Sequence, residues 1–175
     1  MKKILAFAGS NSKTSINKQL ATFVASQVSN SKYDVADLND YDLPIFSLEI
    51  EAEGFPKAAQ EFNQLLSAYD GFVISLAEHN GSYAAVFKNI FDWVSRIDRK
   101  VFKDKPVLLM ATSPGGRGGA SVLETAKNTL PHLGGNVVST FSLPSFYDHF
   151  KEGKLDNQEL GAVLNNAIEN FQNVL

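Results

Sequence analysis

Residues 3–17 have the sequence KILAFAGSNSKTSIN, and this stretch decides the fold class. Its apolar run predicts a short buried strand over Lys3–Ala8. A polar loop rich in hydroxyl side chains follows, and apolar residues at helical spacing then predict a helix from Asn17 to Ser29. A strand, a polar loop and a helix in this order form the first unit of an alternating α/β fold.

The same alternation continues to the end of the chain. The further predicted strands are Tyr33–Leu38, Gly71–Ala77, Pro106–Thr112 and Asn136–Leu143, and the further predicted helices are Pro56–Tyr69, Ala84–Ile97, Ala120–Leu133 and about Asn157–Val174. Five apolar strands separated by helices predict a parallel sheet covered on both faces. Because ligands bind beyond the carboxyl ends of such strands, we expect the loops after the first, third and fourth strands to form one site.

Composition limits the function classes. The 175 residues are 44% hydrophobic with a net charge of -3, which predicts one folded domain over residues 1–175 and disfavours a nucleic-acid binder. The sequence has no cysteine, which excludes disulfides, thiol catalysis, zinc–thiolate sites and iron–sulfur clusters. Its three histidines are not at ligand spacing, so no metal site is expected.

The amino terminus resembles a signal peptide at first sight, because Lys2 and Lys3 precede an apolar run. That run is shorter than the roughly 7–15 residues of a signal-peptide core, and a buried strand explains it better. No stretch approaches the roughly 20 apolar residues of a membrane span. We therefore expect a cytoplasmic protein that does not associate with membranes.

The loop Gly9–Asn17 holds four hydroxyl side chains, two asparagines and a lysine. A loop that opens a helix offers free backbone N–H groups and a positive dipole end, so this one predicts a phosphate site. The alternative is a simple helix cap by Ser15 or Thr14. The Walker and G-x-G-x-x-G patterns are absent here, which favours a single monophosphate over a nucleoside triphosphate or a dinucleotide.

The pattern Gly9-Ser10-x-x-x-x-Ser15-x-Asn17 resembles the phosphate loop of the NADPH-dependent FMN reductase family. These proteins are flavodoxin-like reductases of quinones, azo compounds and chromate. The family usually has an arginine where this chain has Ser12. Lys13 is the neighbouring cation that could replace it.

The 17 residues Ala77–Trp93 resemble the second signature of that family, which usually runs Pro-Glu-Tyr-Asn-Gly-Ser, with a proline two residues later, before Lys-Asn and Asp-Trp. Here Ala77 and Ala84 replace the two prolines and His79 replaces the tyrosine. The matching residues are Asn80, Gly81, Ser82, Lys88, Asn89, Asp92 and Trp93. We expect the loop to offer backbone groups to the flavin edge, with His79 stacking or facing solvent rather than acting in catalysis. The aromatic helix that follows either packs in the core or, as the resemblance implies, lies against a neighbouring subunit.

The segment Ser113-Pro114-Gly115-Gly116-Arg117-Gly118-Gly119 follows the fourth predicted strand. It fails as a dinucleotide fingerprint, because Ser121 stands where glycine or alanine is required and no acidic residue follows at the required distance. It is either a plain flexible loop or, as in the family it resembles, a loop that flanks the flavin ring. Arg117 is a candidate for attracting the phosphates of the nicotinamide donor or an anionic acceptor.

The resemblance implies a flavodoxin-like α/β fold whose five parallel strands have the order 2-1-3-4-5. It also implies FMN as cofactor, NADPH or NADH as hydride donor, and a homodimer or homotetramer. The acceptor would be a quinone, an azo compound, free flavin or a metal oxyanion, reduced by ping-pong hydride transfer without a catalytic side chain. The alternatives are a flavodoxin-type electron carrier and a non-catalytic flavin sensor.

The expected cofactor-binding residues come from all three loops. They are Gly9, Ser10, Ser12, Ser15, Ile16, Asn17, Glu78, His79, Asn80, Gly81, Ser82, Ser113, Pro114, Gly115, Gly116 and Arg117.

Overall fold

A computed structural model describes all 175 residues and places a five-stranded parallel sheet at the centre. Its strands are β1 (Lys2–Gly9), β2 (Ser31–Ala36), β3 (Gly71–Leu76), β6 (Lys105–Thr112) and β7 (Gly135–Leu143). Their spatial order is β2-β1-β3-β6-β7, and every neighbouring pair is parallel. Numbered along the chain, this is the order 2-1-3-4-5, so the predicted sheet is confirmed.

Helices cover both faces of the sheet because side chains of each strand alternate between two cores. On one face, Ile4 and Ala6 pack under α1 (Ile16–Gln27) and α7 (Gln158–Gln172). On the other face, Leu5 and Phe7 pack under three helices: α3 (Lys57–Ser67), α4 (Ala85–Ile97) and α5 (Ala120–Thr129). No helix has the length and apolar character needed to cross a membrane.

Several short elements were not predicted. They are the helices α2 (Leu48–Glu53) and α6 (Phe146–His149), the hairpin β4 (Glu78–His79) with β5 (Ser82–Tyr83), and the hairpin β8 (Phe150–Lys151) with β9 (Lys154–Leu155). No side chain of α2 is fully buried, so its sequence carries little periodic signal.

Two predicted elements extended too far at their carboxyl ends. The second strand ends at Ala36 because the Asp37 side chain accepts a hydrogen bond from the Asn39 N–H and starts a 3-10 turn. The helix predicted over Ala120–Leu133 changes to 3-10 geometry at Leu130, where Pro131 has no N–H for the helical ladder.

The aromatic side chains of α4 lie in the core of their own chain. Trp93 is fully buried, donates its indole N–H to the Pro44 carbonyl at 2.8 Å and packs edge-on against Phe46. Phe87 and Phe91 are buried as well. The core-packing alternative is therefore confirmed for these side chains, because the loop before α2 and the sheet cover them. A neighbouring subunit against the outer side of this helix stays a prediction. Lys88 and Asp92 form an ion pair at 2.6 Å on the exposed side of the helix.

Candidate functional site

The carboxyl ends of β1, β3 and β6 meet at one edge of the sheet, and a cavity of about 240 Å³ lies there. Nine of the sixteen expected site residues line it: Ser10, Ser12, Ser15, Ile16, Asn17, Glu78, His79, Ser113 and Pro114. Thr14, Ala77, Thr112 and Tyr147 line it too and were not expected. The fold thus brings the loops after the first, third and fourth sheet strands together, as the sequence predicted.

The hydroxyl groups of Ser10 and Ser15 in the first loop line this cavity, and they accept hydrogen bonds without donating any within the chain. The Ser10 Oγ accepts a hydrogen bond from the Ser12 N–H at 3.2 Å, and the Ser15 Oγ accepts one from the Lys18 N–H at 3.1 Å. Ser15 is therefore the N-cap of α1, so the predicted helix cap is confirmed. Neither hydroxyl hydrogen has an acceptor within the chain, so both remain available to an anion.

Gly9 belongs to the buried end of β1 and does not line the cavity. A Cβ at this position would lie 2.8 Å from Leu76 and 3.2 Å from Phe87, and its φ is not positive. The backbone at Gly9 therefore has no conformation that only glycine adopts. Glycine is needed because β3 and α4 pack too closely for a side chain.

Two lysines flank the first loop, but neither lines the cavity. The Lys18 ammonium lies 2.5 Å from the Asp37 carboxylate, whose pKa it lowers chiefly through this hydrogen bond. Lys13 is exposed, forms no ion pair and lines a neighbouring groove of about 490 Å³ along α1. Lys13 is thus the free cation beside the loop, although its side chain does not enter the cavity.

Asn17 forms the buried floor of the cavity. Its Oδ1 accepts hydrogen bonds from the Ser75 hydroxyl at 2.7 Å and the Thr112 N–H at 3.1 Å, and its Nδ2 donates to the Thr112 carbonyl at 3.2 Å. The Thr112 hydroxyl continues the chain to the Leu143 carbonyl at 2.7 Å. The side chain expected to contact the cofactor therefore also ties α1 to the ends of β3, β6 and β7.

The second loop is a tight hairpin rather than an irregular loop. Asn80 and Gly81 both have positive φ, 51° and 77°, which are the angles a two-residue type I′ turn requires. Asn80, Gly81 and Ser82 are exposed at its tip and lie outside the cavity lining. His79 is exposed and has no hydrogen-bond or ion-pair partner in the chain.

The glycines of the third loop fall into two pairs. Gly115 and Gly116 are exposed, and a Cβ at either would meet nothing within 4 Å. Gly118 and Gly119 have φ of +59° and +74°, and a Cβ there would lie 2.4 Å from the Ser142 Oγ and 2.8 Å from the Ala111 Cβ. The first pair leaves an open rim beside the cavity, whereas the second pair allows the backbone to pass β7 and enter α5.

The first pair and Arg117 lie outside the cavity lining. The Arg117 guanidinium is exposed, donates to the Ser121 hydroxyl at 2.9 Å and has no carboxylate partner. It is therefore a cation on the rim that remains free to meet an anion.

Sequence analysis missed Tyr147, whose side chain is 64% exposed at the mouth of the cavity. It follows Ser145 and Phe146, whose N–H groups donate to the carbonyls of Gly115 and Ser113 in the third loop. The loop after the last strand also leaves the carboxyl edge of the sheet, and that position was the signal that could have identified it.

Comparison with known proteins identifies the family. The family model described as NADPH-dependent FMN reductase matches residues 2–148. The chain belongs to this family. The relationship covers most of the molecule, since the match starts in β1 and extends through α6.

Two relatives of this FMN reductase have named activities. It is 31% identical to a 2-hydroxy-1,4-benzoquinone reductase of Burkholderia sp over 88% of this chain and 82% of the relative. It is 29% identical to a quinone reductase of Escherichia coli K12 over 89% of this chain and 82% of the relative. Its fold matches the flavoenzyme NAD(P)H:(acceptor) oxidoreductase FerB from Paracoccus denitrificans with a TM-score of 0.78, at 22% identity over 99% and 97% of the two chains.

The site has room for the phosphate end of FMN inside the cavity and for the ring end outside it. The hydroxyl-lined part suits a phosphate, because the free Ser10 and Ser15 hydrogens and the amino end of α1 converge there. A cavity of about 240 Å³ is small for a whole cofactor. The flat ring therefore fits the open rim at Gly115 and Gly116, where no side chain stands in its way.

Proposed function

We propose that this FMN reductase passes a hydride from NADPH or NADH to a quinone, with donor and acceptor using the same open face of the flavin in turn. FMN supplies the redox chemistry when bound, because its ring accepts and releases the hydride. The chain binds the cofactor, orients it and leaves one face accessible. The observation that carries the proposal is the hydroxyl-lined cavity beside an open glycine rim.

Residues of all three loops have separate tasks in this proposal. The hydroxyls of Ser10, Ser12 and Ser15, with the backbone N–H groups of Ile16 and Asn17, hold the phosphate. The backbone of Glu78–Ser82 and of Ser113–Gly116 holds the two sides of the ring. No side chain is required to move a proton for hydride to enter or leave the ring, and His79 is exposed beside the cavity.

Arg117 is proposed to attract the phosphates of the nicotinamide donor. Its guanidinium is exposed at the rim and lacks a carboxylate partner. Since such a contact binds the ground state and the transition state equally, Arg117→Ala should raise the KM for NADPH with little change in kcat.

Quinones are the proposed acceptors for two reasons. Two relatives are quinone reductases by name. A planar quinone can also stack over a ring at Gly115 and Gly116, where there is open space. Azo compounds share this flat shape and are the second acceptor class to test.

We further propose that residues 1–175 act as one FMN-binding domain in the cytoplasm, where reduced nicotinamide cofactors are available, and assemble at least as a homodimer. Support for assembly comes from the loop before α2 and the first residue of that helix, where Ile45 is 74% exposed and Leu48 is 66% exposed. Ile45 borders a cavity of about 470 Å³ against α4, and seven of its eleven lining residues are hydrophobic.

The test is anaerobic reduction of the purified protein. A yellow preparation that releases FMN on denaturation should bleach in the stopped flow with NADPH and recover its colour with benzoquinone. Ping-pong kinetics should follow in steady state. If NADPH reduces the protein no faster than free FMN, the reductase proposal fails and the electron-carrier alternative replaces it.

A further inference from the structure

Glu78 connects two loops of the site through a hydrogen bond outside the cavity. Its Oε2 accepts from the Val122 N–H at 3.0 Å, across 44 residues of sequence. Val122 is the third residue of α5, the helix that the glycine loop enters. The hairpin after β3 is thus joined by a side chain to the element that follows β6.

The start of α5 depends on this carboxylate. Its N-cap is Gly119, which has no side chain to accept a hydrogen bond, and its first turn contains no acidic residue. The first N–H groups of a helix need acceptors and favour a negative charge nearby. Glu78 supplies both from another part of the chain.

The hairpin is held at both of its strands. Glu78 pairs with Tyr83 across the two-residue turn. Tyr83 packs against Phe87 and Phe91 of α4, with ring centroids 5.3 Å and 6.5 Å apart, and its strand also contacts α5. The bond from Val122 to Glu78 adds a direct connection between the other strand and the first turn of α5.

We propose that Glu78 is a positioning residue that sets the spacing between the two loops on either side of the flavin ring. This inference rests on the proposed function, because it assigns both loops to the ring. Glu78 acts through the Val122 N–H and not by contacting the cofactor with its carboxylate. Without the bond, the hairpin would keep its packing through Tyr83 but lose its direct connection to the first turn of α5.

The test compares Glu78→Ala, which removes the acceptor, with Glu78→Gln, whose amide oxygen can still accept from Val122. Glu124→Ala is the matched control, because Glu124 is an exposed carboxylate of the same helix that bonds only to Asn128. Dissociation constants for FMN and riboflavin and the visible circular dichroism of the bound flavin are measured for each variant.

Glu78→Ala should weaken the binding of FMN and riboflavin alike by about tenfold, as expected for loss of one hydrogen bond to a charged group, and should alter the visible dichroism. Glu78→Gln and Glu124→Ala should stay close to wild type. An equal loss in the Ala and Gln variants would overturn the proposal, because charge and not the hydrogen bond would then matter. Unchanged affinity and dichroism in Glu78→Ala would also overturn the proposal, because Glu78 would then act only as a cap of α5.

A measurement without cofactor keeps this inference separate from the proposed function. In the amide NMR spectrum, Glu78→Ala should shift the resonances of Ser113, Gly115 and Gly116, whereas Glu124→Ala should not. If wild type binds no flavin, the proposed function fails, yet these shifts still show whether Glu78 couples the loops. Unshifted resonances would overturn the coupling even if flavin binds.

Discussion

Gly116 and Gly118 stand two residues apart, yet the protein needs glycine only at the second. Gly118 has φ +59° and lies against the Ser142 side chain and the backbone of Pro144, whereas Gly116 faces open space without a positive φ. A side chain at Gly116 would therefore obstruct a ligand at the rim without straining the backbone.

Substitutions at these two glycines should therefore change different properties. A side chain at Gly116 affects reduction by NADPH, whereas a side chain at Gly118 affects stability. Gly116→Val should leave the melting temperature unchanged and slow anaerobic reduction by NADPH more than it weakens FMN binding. Gly118→Ala should lose at least about 2 kcal/mol from strain and contact, which lowers Tm by about 4–8 °C. Stopped-flow bleaching and thermal unfolding measure the two effects. A destabilised Gly116→Val would contradict the open geometry.

The free hydroxyls of the first loop give a second prediction at this scale. Ser10→Ala with Ser12→Ala removes two hydroxyl groups that line the cavity but leaves the Ser15 cap of α1 in place. Since each hydrogen bond to a charged group is worth about 1.5–3 kcal/mol, FMN affinity should fall at least about tenfold. Riboflavin lacks the phosphate and serves as the control ligand. Equal losses in calorimetric titrations of both ligands would exclude phosphate recognition by these hydroxyls.

At the scale of elements, buried polar contacts hold the loops that form the site. Asn17 is 3% exposed and connects the first turn of α1 with Ser75 at the end of β3 and Thr112 at the end of β6. Buried polar groups cost free energy when they lose a partner, so this connection constrains the fold as well as the site. One residue thus shapes the phosphate loop and fixes its distance from the other strands.

Asn17→Ala should destabilise the protein strongly. The Ser75 hydroxyl and both backbone groups of Thr112 would lose partners inside the protein, at a cost of about 3 kcal/mol. For a chain of this size, that loss lowers Tm by about 6–12 °C. Asn11→Ala is the control, because Asn11 is an exposed asparagine of the same loop. Calorimetric scans that show equal Tm for both variants would refute the role assigned to Asn17.

At the scale of the whole molecule, two exposed apolar side chains, Ile45 and Leu48, stand three residues apart at the start of α2. The aromatic residues of α4 are buried, whereas Ile45 is exposed and borders a groove against the outer side of that helix. Exposed apolar side chains grouped beside a groove indicate a surface for another protein. The proposed homodimer therefore depends on the loop before α2.

Ile45→Glu with Leu48→Glu should convert a dimer into monomers without unfolding the chain. Val163→Glu provides the control, because Val163 is 56% exposed on α7, on the opposite face of the sheet. Light scattering after size-exclusion chromatography measures the mass of each variant. A wild-type monomer at micromolar concentration with full flavin occupancy would contradict the assembly proposal.

The sequence by itself determined the sheet and the edge that carries the site. Apolar strands such as Gly71–Leu76 and amphipathic helices such as α3 carry their periodicity locally, so the alternation and the three loops were predictable. The turn between β4 and β5 is also encoded locally, because Asn80 and Gly81 accept the positive φ angles that a type I′ turn requires. Motif resemblance added the cofactor and the family.

Only the tertiary structure decided what individual side chains do. The bonds of Asn17 to Ser75 and of Glu78 to Val122 join residues 58 and 44 positions apart, and no local pattern encodes such pairs. The burial of Trp93 by Pro44 and Phe46 and the position of Tyr147 at the cavity mouth depend on the same long-range packing. Periodicity shows which face of an element is apolar, whereas the partner of that face is set by how the whole chain folds.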